Sequence, residues 1–152
     1  MEIPDRSRRG LVDGRFLRQF NYPDDYQSVA ELWKACGGGV KFSRSDSEEE
    51  INKKVGRDPD LFLVAVEENR IIGTVIGGYD GRRGMAYHLA VHPNYRHLGI
   101  GKSLMLELES RLKSKGCLKA YLMINPEHPE LLEYYKSLGW GQMNVYICGK
   151  EF

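Results

Sequence analysis

The sequence predicts an α/β chain of the α+β type, a mixed sheet with helices on its faces, and three observations predict it. Read for hydrophobic period, turn residues and caps, the elements fall in the order β α α β β β α β α β, not the regular alternation of a doubly wound fold. Leu61–Val66 is an uninterrupted apolar run, as in a central strand covered on both faces. Between Gly99 and Lys115 the apolar residues Ile100, Leu104, Leu108 and Leu112 form one helical stripe.

Residues 1–15 are basic with no apolar stretch behind them, and we read them as a loosely held N-terminal extension to a single domain spanning 16–152. Arg15–Phe20 has the composition of a short strand. Asp24, with Gln27 three residues on, has the pattern of a capping box opening a helix, and Gly37–Gly39 stop that helix. A second helix is expected from Ser47 to Val55. Its glutamates come first and its lysines last, which suits the helix dipole, and only Ile51 and Val55 are apolar, so it belongs on the surface. After Leu61–Val66, Ile71–Tyr79 is the neighbouring strand. Asp80-Gly81 marks a hairpin, and Met85–His92 returns. Gly116 ends the Gly99–Lys115 helix. Leu118–Asn125 reads as a strand, Pro129–Leu138 as a short helix with Leu131, Leu132, Tyr135 and Leu138 on one side, and Asn144–Gly149 as the last strand.

Composition excludes several functions. With 22 basic against 21 acidic residues among 152, the chain lacks the basic excess of a nucleic-acid binder. No apolar run approaches the roughly 18–20 residues that span a bilayer, so a membrane role is not expected. Cys36, Cys117 and Cys148 are odd in number and widely spaced, which suggests neither a disulfide framework nor a zinc site and fits reduced thiols in the cytoplasm. His88 and His92 stand four apart on a strand, which is not the one-face spacing of a helical metal site, and no metal is expected.

The stretch richest in chemistry is Val91-His92-Pro93-Asn94-Tyr95-Arg96-His97-Leu98-Gly99-Ile100-Gly101-Lys102-Ser103. A strand ends, a loop turns, and a helix begins with two glycines one residue apart. The first N–H groups of a helix have no internal partner and the dipole adds positive charge there, so a phosphate-bearing ligand suits the position. Arg96 adds an always-charged planar donor. A P-loop would need glycine at 96, which is Arg, and a dinucleotide fingerprint would need glycine at 104, which is Leu.

The R-x-x-G-x-G pattern after a V-x-P strand end, with Tyr135-Lys136-Ser137-Leu138-Gly139-Trp140 downstream and Gly73-Thr74-Val75-Ile76-Gly77-Gly78-Tyr79-Asp80-Gly81 upstream, resembles the GNAT superfamily of N-acetyltransferases, in particular its small bacterial members. The resemblance covers about Phe16 to Phe152. It implies a GNAT-like, largely antiparallel sheet of about six to seven strands flanked by about four helices. It also implies acetyl-CoA as co-substrate and an acceptor that is the primary amine of a small molecule or a protein, and it suggests a homodimer.

Carried over residue by residue, the resemblance has Leu89, Ala90 and Val91 offering backbone groups to pantetheine. Arg96, His97, Leu98, Gly99, Ile100, Gly101, Lys102 and Ser103 would surround the pyrophosphate. Tyr135 matches the general acid. Relatives often carry a glutamate base on the fourth or fifth strand, but Met85–His92 and Leu118–Asn125 contain no carboxylate. His88 is the conventional base among them, opposite Leu89 and Val91 by period-two alternation; removal of the proton through water needs no base side chain. Many relatives have Asn seven residues before the tyrosine, where this chain has His128, and Asn125 is the nearby substitute. The missing carboxylate supports an alternative, a regulatory module that binds acyl-CoA without turnover. Acceptor choice is expected from the first two helices, the loop Gly37–Arg44 and the Asp80 hairpin. The acidic run Glu48–Glu50 either attracts a cationic amine or simply complements its helix terminus.

Overall fold

The computed structural model describes residues 9–10 and 14–152. A six-stranded sheet runs in chain order: β1 (Arg9–Gly10), β2 (Phe16–Gln19), β3 (Phe62–Glu67), β4 (Arg70–Tyr79), β5 (Gly84–Val91) and β6 (Ala120–Leu122). Neighbours are antiparallel as far as β5, and β6 joins β5 in parallel. The helices are α1 (Tyr26–Cys36), α2 (Glu48–Arg57), α3 (Ile100–Ser114) and α4 (Glu130–Ser137). This is the mixed, largely antiparallel sheet with four flanking helices that the sequence predicts.

The apolar run around β3 divides the core, because alternate side chains leave a strand on opposite faces. Leu61, Leu63 and Ala65 join Ile100, Leu104 and Leu108 of α3, while Phe62, Val64 and Val66 join Val29, Leu32 and Trp33 of α1 and Ile51 of α2. Each such buried side chain is worth about 1.5–3 kcal/mol, which explains why the run contains nothing polar. Gly77 lets α3 lie close on β4, since a Cβ there would stand 2.3 Å from Leu108 Cδ1. The expected stripe of Ile100, Leu104, Leu108 and Leu112 is fully buried.

Several local expectations need correction. The capping box of Asp24 and Gln27 does not form: the N-cap of α1 is Asp25, with no side-chain cap bond. Its carboxylate instead accepts from the two terminal Arg18 guanidinium nitrogens, at 2.5 and 3.0 Å, and from the Asn21 N–H at 2.7 Å. The strand expected over Leu118–Asn125 shrinks to the three residues of β6. The strand expected over Asn144–Gly149 is absent; Val145, Tyr146 and Ile147 are exposed and no sheet edge receives them. At the Asp80 hairpin only Gly81 takes a positive φ (100°), and Asp80 contributes through its carboxylate, which accepts the N–H groups of Arg82 and Arg83 at 2.7 Å. Of the expected extension over 1–15, Arg9–Gly10 pairs with Leu17 and Phe16, and residues 1–8 and 11–13 lie outside the described residues.

Candidate functional site

Strand β5 organises the site. Its register on β4 runs Thr74↔Ala90 but Ile76↔Tyr87, so His88 and Leu89 together face Val75 alone, and His88 takes a φ of 51°. That is a β-bulge, which bends the strand and re-aims its side chains. On the other side, β5 pairs with β6 only from Gly84↔Ala120 to Ala86↔Leu122. Beyond Ala86 the two strands part, leaving the C-terminal half of β5 as an open edge. His92 N–H donates to the Ile72 carbonyl at 2.8 Å. By the alternation of an antiparallel ladder, the preceding Val91 turns its N–H and C=O to the open edge. Its carbonyl accepts there from Arg96 Nε at 3.2 Å and from Cys36 Sγ at 3.5 Å. Burial pushes the Cys36 thiol up in pKa, and the adjacent Arg96 pulls it partly back.

The chain then makes a 3₁₀ turn at Pro93–Tyr95 and enters α3 through His97 at φ 64° and Gly99 at φ 78°. Gly99 is the N-cap and has no side chain to offer. The Ser103 N–H donates to the Gly99 carbonyl at 3.0 Å, so the first turn leaves the N–H groups of Ile100, Gly101 and Lys102 without a helical partner. They lie beside the Arg96 loop, and unpartnered N–H groups at a helix start carry the partial positive charge that suits an anion. A Cβ on Gly101 would stand 2.6 Å from Tyr134 Oη and 3.6 Å from Val91 Cγ2. The helix start, the strand end and α4 therefore meet at this glycine.

On α4, Tyr135 packs on the core cluster of Ile100 and Leu104, as do Leu89 and Val91. Burial, reinforced by Tyr134, pushes its pKa up to about 12. Tyr134 lies against it, ring centroids 5.3 Å apart, and burial raises its pKa too. Asn125 turns its side-chain oxygen to the Glu127 N–H at 3.0 Å, within its own loop. His128 stands over the glycine turn after α1, its Nε2 2.9 Å from where a Cβ on Gly38 would be, with Nδ1 3.1 Å from Glu130 Oε1. The strand end, the Arg96 loop, the helix start and the tyrosines thus come together, whereas Asn125 bonds within its own loop and His128 to Glu130 at the start of α4.

His88 lies on the other face of β5, toward α1 and α2, as alternation with Leu89 and Val91 requires. Its Nε2 is 2.7 Å from Asp46 Oδ1. Asp46 is buried in a 3₁₀ turn (Arg44–Asp46) and its Oδ2 accepts from the Ser43 N–H at 2.8 Å and the Ser43 hydroxyl at 3.3 Å. Tyr26 Oη donates to the Asp46 carbonyl at 2.8 Å. Trp33 sets its ring edge-on to the imidazole, centroids 4.8 Å apart. The indole N–H donates to Thr74 Oγ1 at 2.9 Å, and that hydroxyl donates to the His88 carbonyl at 3.1 Å. A cleft of about 560 Å³ opens here between Ser43, Asp46, Glu50, Lys54, Tyr87 and His88. Glu50, from the acidic run on α2, therefore borders the cleft. Sequence reasoning missed Asp46; the signal was Ser43-x-x-Asp46, a second capping-box pattern ahead of α2.

Among the described residues, no helix is long and apolar enough to cross a membrane, and no three His, Cys, Asp or Glu side chains cluster as a metal ion would need.

Comparison with known proteins gives a consistent picture. The model of the acetyltransferase (GNAT) family matches residues 26–140. Proteins named acetyltransferase from Pectobacterium atrosepticum and Sodalis glossinidius are each 39% identical to this chain, over 90% and 89% of it and 93% and 94% of their own lengths. The PaiA N-acetyltransferase of Thermoplasma acidophilum, solved in complex with coenzyme A, superposes with a TM-score of 0.75 at 21% identity. The match covers 87% of this chain and 92% of that one, a likeness of fold.

Proposed function

The chain belongs to the acetyltransferase (GNAT) family and is an acyltransferase, and from that premise we propose that it moves an acetyl group from acetyl-CoA to the primary amine of a small molecule or a protein. The observation that carries the proposal is the junction at Gly101, where an open strand edge runs directly into three unpartnered helix N–H groups. An acyl-CoA needs those two things in that order, an edge for its amide-bearing arm and a cradle for its pyrophosphate.

The residues present fit that ligand. Leu89, Ala90 and Val91 border the open edge, and the Val91 N–H points into it. Ile100, Gly101 and Lys102 supply N–H groups to the phosphates, with His97, Leu98 and Gly99 shaping the loop and Arg96 closing it. The Ser103 N–H is already committed to Gly99, so its hydroxyl is the group left to take part. The bound thioester supplies a carbonyl already activated toward an amine. The Val91 N–H stabilises negative charge developing on that carbonyl oxygen, as an oxyanion donor does. The Tyr135 phenol stays protonated through the neutral range and donates toward the departing sulfur. The amine approaches from the α1/α2 face, through the cleft beside His88. The alternative of a module without turnover rested on the absence of a carboxylate from the two central strands. Asp46 brings a carboxylate to His88 from outside them, which removes that support.

Calorimetric titration with acetyl-CoA, CoA, ATP and NAD at one salt concentration tests the ligand. Acetyl-CoA and CoA should bind at one site, with ATP and NAD much weaker. Absence of acetyl-CoA binding, or equal binding of ATP, would overturn the reading.

A further inference from the structure

We propose that Asp46 and His88 form a catalytic dyad, in which Asp46 holds the His88 imidazole so that its Nδ1 accepts the proton of the acceptor's ammonium group. The inference rests on the acetyl-transfer reading and adds to it the base and the residue that positions it.

The hydrogen-bond chemistry dictates the tautomer. An ionised carboxylate only accepts, so the 2.7 Å contact between His88 Nε2 and Asp46 Oδ1 requires the proton on Nε2. Nδ1 is then left with its lone pair, and among the described residues no hydrogen bond reaches it. The side chain keeps 19% of its surface open while that of Asp46 keeps 7%. A buried carboxylate behind an accessible imidazole is the arrangement a base needs, with one nitrogen fixed and the other free.

The bulge makes the arrangement possible. In a regular strand Tyr87 and His88 would point to opposite faces. The extra residue in β5 leaves both on the α1/α2 face, where they line the same cleft. A positive φ at a histidine is unfavourable and persists only where surrounding contacts enforce it. Here the Trp33 ring and the Thr74 hydroxyl on the His88 carbonyl enforce it.

Other charges face this pair without replacing it. Glu50 is paired with Lys53, and Lys54 with Asp58, on and just beyond α2. Arg57 also borders the cleft, donating to the Tyr79 carbonyl. Tyr87 comes from β5 itself, and from α1 comes the Tyr26 hydroxyl, held on the Asp46 carbonyl. The step balances simply: an ammonium N–H bond breaks, the Nδ1–H bond forms, and the freed lone pair on the amine nitrogen becomes the nucleophile. The imidazolium then returns its proton to solvent through the cleft.

The test compares wild type, His88→Gln and Asp46→Asn in kcat, KM and pH–rate profile with the best amine found, alongside nitrogen NMR of the histidines in the free protein. Wild-type His88 should show the Nε2–H tautomer. His88→Gln should lower kcat about 100-fold, the lower end for a general base, with the KM for acetyl-CoA unchanged. Its acid limb should then follow only the amine's own ionisation. Asp46→Asn should lower kcat about tenfold or more. Its pH–rate profile should change as well, because the imidazole loses the carboxylate that fixes its proton on Nε2. A role confined to anchoring the turn would lower the melting temperature and leave both pH profiles as in wild type, and that result overturns the dyad. An Nδ1–H tautomer in wild type overturns it equally. Wild type with no turnover on any amine overturns the transfer reading and the dyad with it, whereas wild-type turnover with unchanged variant profiles overturns the dyad alone.

Discussion

Gly101→Val should weaken acetyl-CoA binding about 100-fold or more while the protein remains folded. A side chain there must push Tyr134 aside: a Cβ would lie 2.6 Å from the Tyr134 hydroxyl and 3.6 Å from Val91 Cγ2. A branched residue therefore displaces Tyr134 and closes the space between the end of β5 and the first turn of α3. The N–H groups of Ile100, Gly101 and Lys102 then lose their approach to an anion. Hydrogen bonds to a charged group are worth about 1.5–3 kcal/mol each. Losing two of them weakens binding about 100-fold or more, at about 1.4 kcal/mol per factor of ten. Calorimetry reads the loss, and a cooperative thermal melt confirms that the variant is folded. Binding retained within about threefold would show that the anion is held elsewhere, and the cradle would lose its assignment.

Tyr135→Phe should lower kcat about 100-fold, at the lower end of general acid–base contributions, with acetyl-CoA affinity nearly unchanged. The ring is kept, so its packing on the core cluster survives, and only the hydroxyl is removed. With its pKa pushed up to about 12 by burial, the phenol adds no alkaline limb to the rate below about pH 10. The sign of the linkage to stability is also fixed. A phenol whose folded pKa lies above its ordinary 10.0 keeps its full contribution below pH 10 and loses it between 10 and about 12, as the unfolded chain ionises first. Rates are therefore compared below pH 9, where neither effect enters. Tyr134→Phe is the companion variant, because Tyr134 carries its hydroxyl to Gly101. A collapse of kcat in Tyr134→Phe with normal turnover in Tyr135→Phe would transfer the role to Tyr134.

The parts of this protein legible in its sequence are those fixed by local pattern. The α3 stripe, the two-faced apolar run at β3 and the Gly37 stop of α1 follow from period and from glycine. The junction of strand end, Arg96 loop and helix start was equally legible, because β5, the loop and Gly99-x-Gly101 are contiguous in the chain. What depended on distant partners was lost. Asp24 has the spacing of a cap, yet the chain starts α1 one residue later, since Asp25 is drawn to Arg18 on β2. Leu118–Asn125 and Asn144–Gly149 have the composition of strands, but a strand needs a neighbour. Only three residues of the first stay beside β5, and none of the second finds a sheet.

The site shows the same division. Alternation correctly put His88 opposite Leu89 and Val91, but a bulge has no simple sequence mark, and the cleft shared by Tyr87 and His88 was not foreseen. Asp46 lies 42 residues from His88, in a three-residue turn that periodicity does not register. Its capping-box spacing from Ser43 was visible, but nothing local says that such a cap also faces a histidine. The carboxylate beside His88 comes from the α1–α2 connection, outside the central strands to which the family resemblance points.

The most direct measurement incubates the purified protein with acetyl-CoA and a panel of amines, small molecules and peptides, and reads both CoA release and the mass of each amine. The account predicts at least one amine heavier by a single acetyl group, formed in step with CoA and absent when Gly101→Val replaces wild type. CoA release at the same rate with and without every amine, and no acetylated product, would contradict it.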